Sequence, residues 1–133
     1  MEPLGIAMLA GLTPREVRRT FFDDRLEAID YAAPTDLVCL TVETYTARRA
    51  YQIAARYRSR GVPVVLGGFH PTLLPEEAAR HADAVVVGEA EPVWSEVLAD
   101  AAQGRLRARY EAARPSLEGL RPDRSIFGQR RYG

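Results

Sequence analysis

Three stretches of this sequence place chemically useful groups directly after short apolar runs. Thr41, Glu43 and Thr44 close the first, Gly67-Gly68-Phe69-His70-Pro71-Thr72 follows the second, and Gly88-Glu89-Ala90-Glu91 follows the third. Paired glycines at a strand end let a ligand approach the backbone where a Cβ would obstruct it. A bare Gly-Gly pair is equally a tight turn, and no strand is followed by G-x-G-x-x-G, so a dinucleotide pyrophosphate site is not supported. Glu89 and Glu91 could act as an acid/base pair. Ahead of a helix starting near Pro92, Glu91 reads as a group countering the helix dipole, and Glu89 stays open as a ligand contact.

Composition removes several classes of function. The 18 basic residues are all arginine, which excludes a Schiff-base lysine and the lysine of a Walker A loop. The single Cys39 cannot form an internal disulfide or by itself hold zinc or an iron–sulfur cluster. It lies in an apolar run and reads as an inert buried thiol. Basic and acidic residues balance at 18 each, which argues against nucleic acid and anionic lipid as partners. No run reaches the ~20 apolar residues of a membrane span, and the chain reads as soluble and cytoplasmic.

Those stretches need a frame to position them. The 133 residues, 47% hydrophobic, suit one compact domain. Near-continuous β-branched runs at Leu37–Val42, Val62–Leu66 and Ala84–Val87 predict strands buried on both faces of a parallel sheet. Between the first two, Ala50, Ile53, Ala54 and Tyr57 at helical spacing predict a helix over about Thr46–Arg60, stopped by Gly61 and Pro63. Further helices are expected from Pro75 and from Pro92 to Gly104. A helix over Leu4–Ala10, a weaker strand over Val17–Phe22 and a last strand at Leu106–Tyr110 complete the reading. The alternation implies an α/β fold, an open parallel sheet with helices on both faces. Residues 114–133, rich in proline, glycine and arginine, read as a linker or tail.

The segments "DLVCLTVETYTARRAYQIAARYRSRG" and "VPVVLGGFHPTLLPEEAARHADAVVVGEAEPVWSEVLAD" closely resemble the N-terminal cobalamin-binding domain of cobalamin-dependent radical S-adenosylmethionine enzymes. The likeness runs from Pro3-Leu4-Gly5 to the region of Arg130-Arg131-Tyr132. It implies a flavodoxin-like (Rossmann-type) fold over residues 1–113, with the corrin over the carboxyl edge of the sheet. It also implies a module of a methyltransferase or cyclase. The iron–sulfur cluster and S-adenosylmethionine would reside only in a barrel domain supplied in cis or in trans, because C-x-x-x-C-x-x-C needs three cysteines. A stand-alone corrinoid-binding or interaction module is the alternative, and a domain that has lost its ligand a third reading.

By this resemblance the cofactor contacts are Thr41, Glu43, Thr44, Gly67, Gly68, Phe69, His70, Pro71, Thr72, Gly88, Glu89 and Ala90. Thr41 supplies a hydroxyl and the glycine pair bare backbone beside the nucleotide tail. The motif D-x-H-x-x-G, which carries the cobalt-ligating histidine in other cobalamin domains, is absent. His70 has two readings, a corrin contact or a structural hydrogen bond. His81 reads as a helix-end histidine satisfying a carbonyl, and Trp94 as core. The family pattern has a strand before the Pro-Leu-Gly opening, so the first strand is expected to be missing. That predicts a rearranged sheet of four or five strands, or a homodimer through an exposed sheet edge.

Overall fold

The structure, a computed structural model, describes residues 11–15, 17–20 and 27–112. The expected helix over Leu4–Ala10 and the tail over residues 114–133 lie outside them. Within them the order is β1 (Val38–Thr41), a 3-10 turn (Thr44–Thr46), α1 (Ala47–Ser59), β2 (Val64–Gly67), α2 (Phe69–Leu73), α3 (Pro75–Ala79), β3 (Ala84–Val87), a second 3-10 turn (Glu91–Val93), α4 (Trp94–Ala102) and β4 (Arg109–Glu111). The strands form one four-stranded sheet in the order β1-β2-β3-β4. Every pairing is parallel, with Val38 opposite Val64, Val65 opposite Ala84 and Val85 opposite Arg109.

Strand alternation sends two sets of side chains to two covered faces. Val38, Val64, Leu66, Val85 and Val87 meet Ala50, Ile53, Ala54 and Tyr57 of α1 and Ala78 of α3. Val65, Ala84, Val86 and Tyr110 meet Trp94 and Val97 of α4, with Leu12 packed against them. Each fully buried valine or leucine contributes roughly 1.5–3 kcal/mol, so β2 and β3, buried on both faces, form the centre of the core. Helix α1 buries the stripe anticipated from its spacing and ends at Ser59, two residues before Gly61, whose φ is +77°. There the Val62 amide closes back on the Tyr57 carbonyl at 3.1 Å, a C-terminal turn that glycine permits.

The last strand is shifted from Leu106–Tyr110 to Arg109–Glu111. The reason is that the Arg107 amide donates to the Tyr110 hydroxyl at 3.0 Å, while that hydroxyl donates to Asp100 Oδ2 at 2.7 Å. The loop is thereby tied to α4 before the ladder begins. Residues 17–20 are irregular rather than strand, and Phe21 and Phe22 fall outside the described residues. Among the described residues β1 is therefore an edge strand. Its Cys39 reaches the surface there, yet desolvation by the surrounding chain pushes the thiol pKa up to about 12, so the expected inert thiol stands although its full burial does not.

Candidate functional site

The carboxyl ends of β1, β2 and β3 bring the three glycine- and acid-bearing stretches to one edge of the sheet. The Val42 amide donates to the Gly67 carbonyl at 2.8 Å, and the His70 amide donates to the Val42 carbonyl at 3.0 Å. The loop after β2 is thus laid against the end of β1. Gly68 has φ +107°, and a Cβ there would stand 2.9 Å from the Val42 oxygen and 3.0 Å from the Val42 nitrogen. Its glycine is required by the protein's own backbone, not first by a ligand. Gly67 differs: an added Cβ would meet only Val86 Cβ, at 3.7 Å, an ordinary contact.

Thr72 joins the second loop to the third. Its hydroxyl donates to the Gly68 carbonyl at 2.8 Å and accepts from the Gly88 amide at 2.9 Å. The first loop is tightened by Thr46, whose hydroxyl accepts from the Glu43 amide at 3.0 Å and donates to the Glu43 carbonyl at 3.1 Å.

The short helix α2 separates its residues by face. His70 and Pro71 turn inward and are buried, whereas Phe69 and Leu73 are 57% and 58% exposed. His70 has both ring nitrogens occupied, Nδ1 at 3.3 Å from Thr44 Oγ1 and Nε2 at 2.9 Å from Glu77 Oε1. These are the structural hydrogen bonds of the second reading of this residue. Neither nitrogen offers a free lone pair to a metal. The Tyr51 hydroxyl donates to the same Glu77 oxygen at 2.8 Å. Hydrogen bonds from His70 first and Tyr51 second hold the Glu77 carboxyl below the usual carboxylate range. His81 stacks on Tyr51 at 3.9 Å between centroids, so its role is a ring contact and not the carbonyl bond expected of a helix end.

Thr41, Thr44, Gly88 and Glu89 are exposed at this edge, while Glu43, Gly67, Gly68, Thr72 and Ala90 are half-buried. Glu91 opens the second 3-10 turn without a capping hydrogen bond, and its buried Oε2 has no hydrogen-bond partner. A hydrogen bond with Glu91, then its like charge, raises the Glu89 carboxyl above the usual range. Trp94 is core, as expected, and its indole N–H donates to Thr13 Oγ1 at 2.9 Å.

Residue types alone did not flag Tyr45, 86% exposed, Leu73 or Leu74. With Phe69 they leave large apolar side chains exposed in the loops and short helix that follow β1 and β2. A usable signal was present, since Tyr45 directly follows Thr44 at a strand end and Leu73-Leu74 precede Pro75. Among the described residues no cluster of three or more His, Cys, Asp or Glu is placed to hold a metal ion. No helix among them is long and apolar enough to cross a membrane.

An open parallel sheet with a glycine-bearing, partly apolar carboxyl edge defines a ligand-binding α/β domain. The model of the B12 binding domain matches residues 1–98, and the chain belongs to that family. Two relatives from Chlorobaculum tepidum are similar over most of the chain. Bacteriochlorophyllide d C-8(2)-methyltransferase is 40% identical over 90% of this chain and 27% of its own length. Bacteriochlorophyllide d C-12(1)-methyltransferase is 36% identical over 93% of this chain and 28% of its own. The chain thus spans only a little over a quarter of either relative. The N-terminal domain of a hypothetical protein of Thermotoga maritima shares the fold, with a TM-score of 0.51 at 17% identity over 75% of this chain and 98% of that one.

Proposed function

We propose that the chain holds cobalamin on the carboxyl edge of its sheet and serves as the corrinoid module of a methyl-transferring radical S-adenosylmethionine enzyme. The cluster and S-adenosylmethionine belong to a barrel domain in cis or in trans. The observation that carries this reading is the exposed apolar set Tyr45, Phe69 and Leu73 standing beside the loops of the B12 binding domain. A corrin is a broad macrocycle with apolar faces and a fringe of amides, and such a ligand needs both kinds of surface. Membership of the family and the two methyltransferase relatives support the choice.

The residues divide the work by position. Tyr45, Phe69 and Leu73 give apolar contact, and Thr41, Glu43, Thr44 and Glu89 give polar contact to the fringe. Gly67, with no backbone of its own chain pressing on it, leaves room beside the nucleotide tail, and Gly88 and Ala90 form the far rim. Gly68, His70, Pro71 and Thr72 act from behind, holding the loops in register. Cobalamin, when bound, supplies methyl-transfer chemistry, and the chain binds and orients it.

The test is absorbance of the protein mixed with hydroxocobalamin and passed over a desalting column. The wild type is expected to emerge coloured. Tyr45→Ala and Phe69→Ala should each lower retention several-fold while stability stays within about 0.5 kcal/mol, as for exposed positions generally. A colourless wild type, or variants that retain the cofactor equally, would overturn the assignment.

A further inference from the structure

We infer that Thr44 is a hydrogen-bond acceptor for an amide N–H of the bound corrinoid, and that Glu77 and Tyr51 are positioning residues that fix this polarity through His70. The inference rests on the cobalamin reading above and adds the direction of one hydrogen bond. The Glu77 carboxylate has no proton to give, and its Oε1 receives both the Tyr51 hydroxyl at 2.8 Å and His70 Nε2 at 2.9 Å. His70 Nε2 must therefore carry hydrogen. With a neutral ring this leaves Nδ1 unprotonated, and the contact at 3.3 Å to Thr44 Oγ1 is then the threonine hydroxyl donating inward; an imidazolium paired with Glu77 would reverse it, so the polarity assigned to Thr44 is specific to the neutral ring. With its proton committed to the buried ring, Thr44 presents only oxygen lone pairs to the exposed edge.

Side-chain burial is what makes the arrangement hold. His70 is 5% exposed, with no water-facing position to turn to, whereas Thr44 is exposed at the carboxyl edge. Glu77 lies on α3 and Tyr51 on α1, so the two helices that flank the loop jointly decide which way the Thr44 proton points. Primary amides on the corrin fringe are the donors that an acceptor at this place would take.

The test combines ¹⁵N NMR of the His70 ring with equilibrium binding of hydroxocobalamin. The wild type should show the Nε2–H tautomer, Glu77→Gln should preserve it through the amide oxygen, and Glu77→Leu should lose it. Thr44→Val should weaken binding by about 2- to 10-fold, the range expected for one neutral hydrogen bond, and Thr44→Ser should restore it. Glu77→Leu should weaken binding in the wild type but add nothing to Thr44→Val, since the two act on one hydrogen bond. An Nδ1–H tautomer or a doubly protonated ring in the wild type, unchanged binding by Thr44→Val, or additive effects overturn the inference while leaving the cobalamin reading in place. A wild type that binds no cobalamin overturns that reading and this one with it.

Discussion

The two edges of the sheet are built on opposite terms. At the amino edge, Asp83 Oδ2 accepts the Val64 amide at 2.8 Å and lies 3.4 Å from Arg58 Nε, and the Asp83 amide returns to the Val64 carbonyl at 2.9 Å. The Val38 amide finds the Pro63 carbonyl at 3.0 Å, so these turns close on themselves. At the carboxyl edge the backbone is just as tightly tied, but Tyr45, Phe69, Leu73 and Leu74 stand exposed and Glu91 keeps an unpartnered oxygen. The difference separates what the sheet needs for stability from what it holds ready for a ligand.

The sharpest way to break this contrast is Gly68→Val. The side chain would press on the Val42 backbone at about 3 Å from a φ of +107°, so a loss of about 3 kcal/mol or more is expected, seen as a lower urea midpoint. Near-normal stability would show that the loop can move off β1. Any loss of cobalamin in this variant would report the fold, which makes Gly67 the better glycine for testing the ligand.

Asp83→Ala addresses the other edge. It strips the Val64 amide of its acceptor and Arg58 of its partner, and a cost of about 1–3 kcal/mol is expected for the backbone donor left behind. Cobalamin retention at saturating stability should be unchanged. A fall in affinity without unfolding would show that the amino edge is coupled to the site.

The smallest effect is one of pH. Because His70 and Tyr51 hold the folded-state pKa of Glu77 down, this group adds stability above its unfolded value, near pH 4.3. That stability is lost as pH falls through the lower folded value. Urea midpoints of the wild type should therefore drop more steeply than those of Glu77→Gln on acidification. Parallel curves would mean that the His70–Glu77–Tyr51 contacts contribute nothing to folding.

Much of this molecule was determined by its sequence alone. The runs at Leu37–Val42, Val62–Leu66 and Ala84–Val87 become strands of a parallel sheet because continuous apolar, β-branched stretches of that length have few other stable uses. The stripe of α1 follows from its spacing, and the glycine-bearing strand ends necessarily share one edge once the strands are parallel. Tertiary structure decided which way the loop residues point and what each glycine is for. His70 and Pro71 turn inward, and Gly68 has to be glycine because of Val42, since the end of β1 claims the hydrogen bonds of a loop distant in sequence. The exposure of Cys39 and Tyr45 likewise depends on which elements cover the ends of the sheet. Local patterns set the period of burial, but they do not say where the covering layer stops.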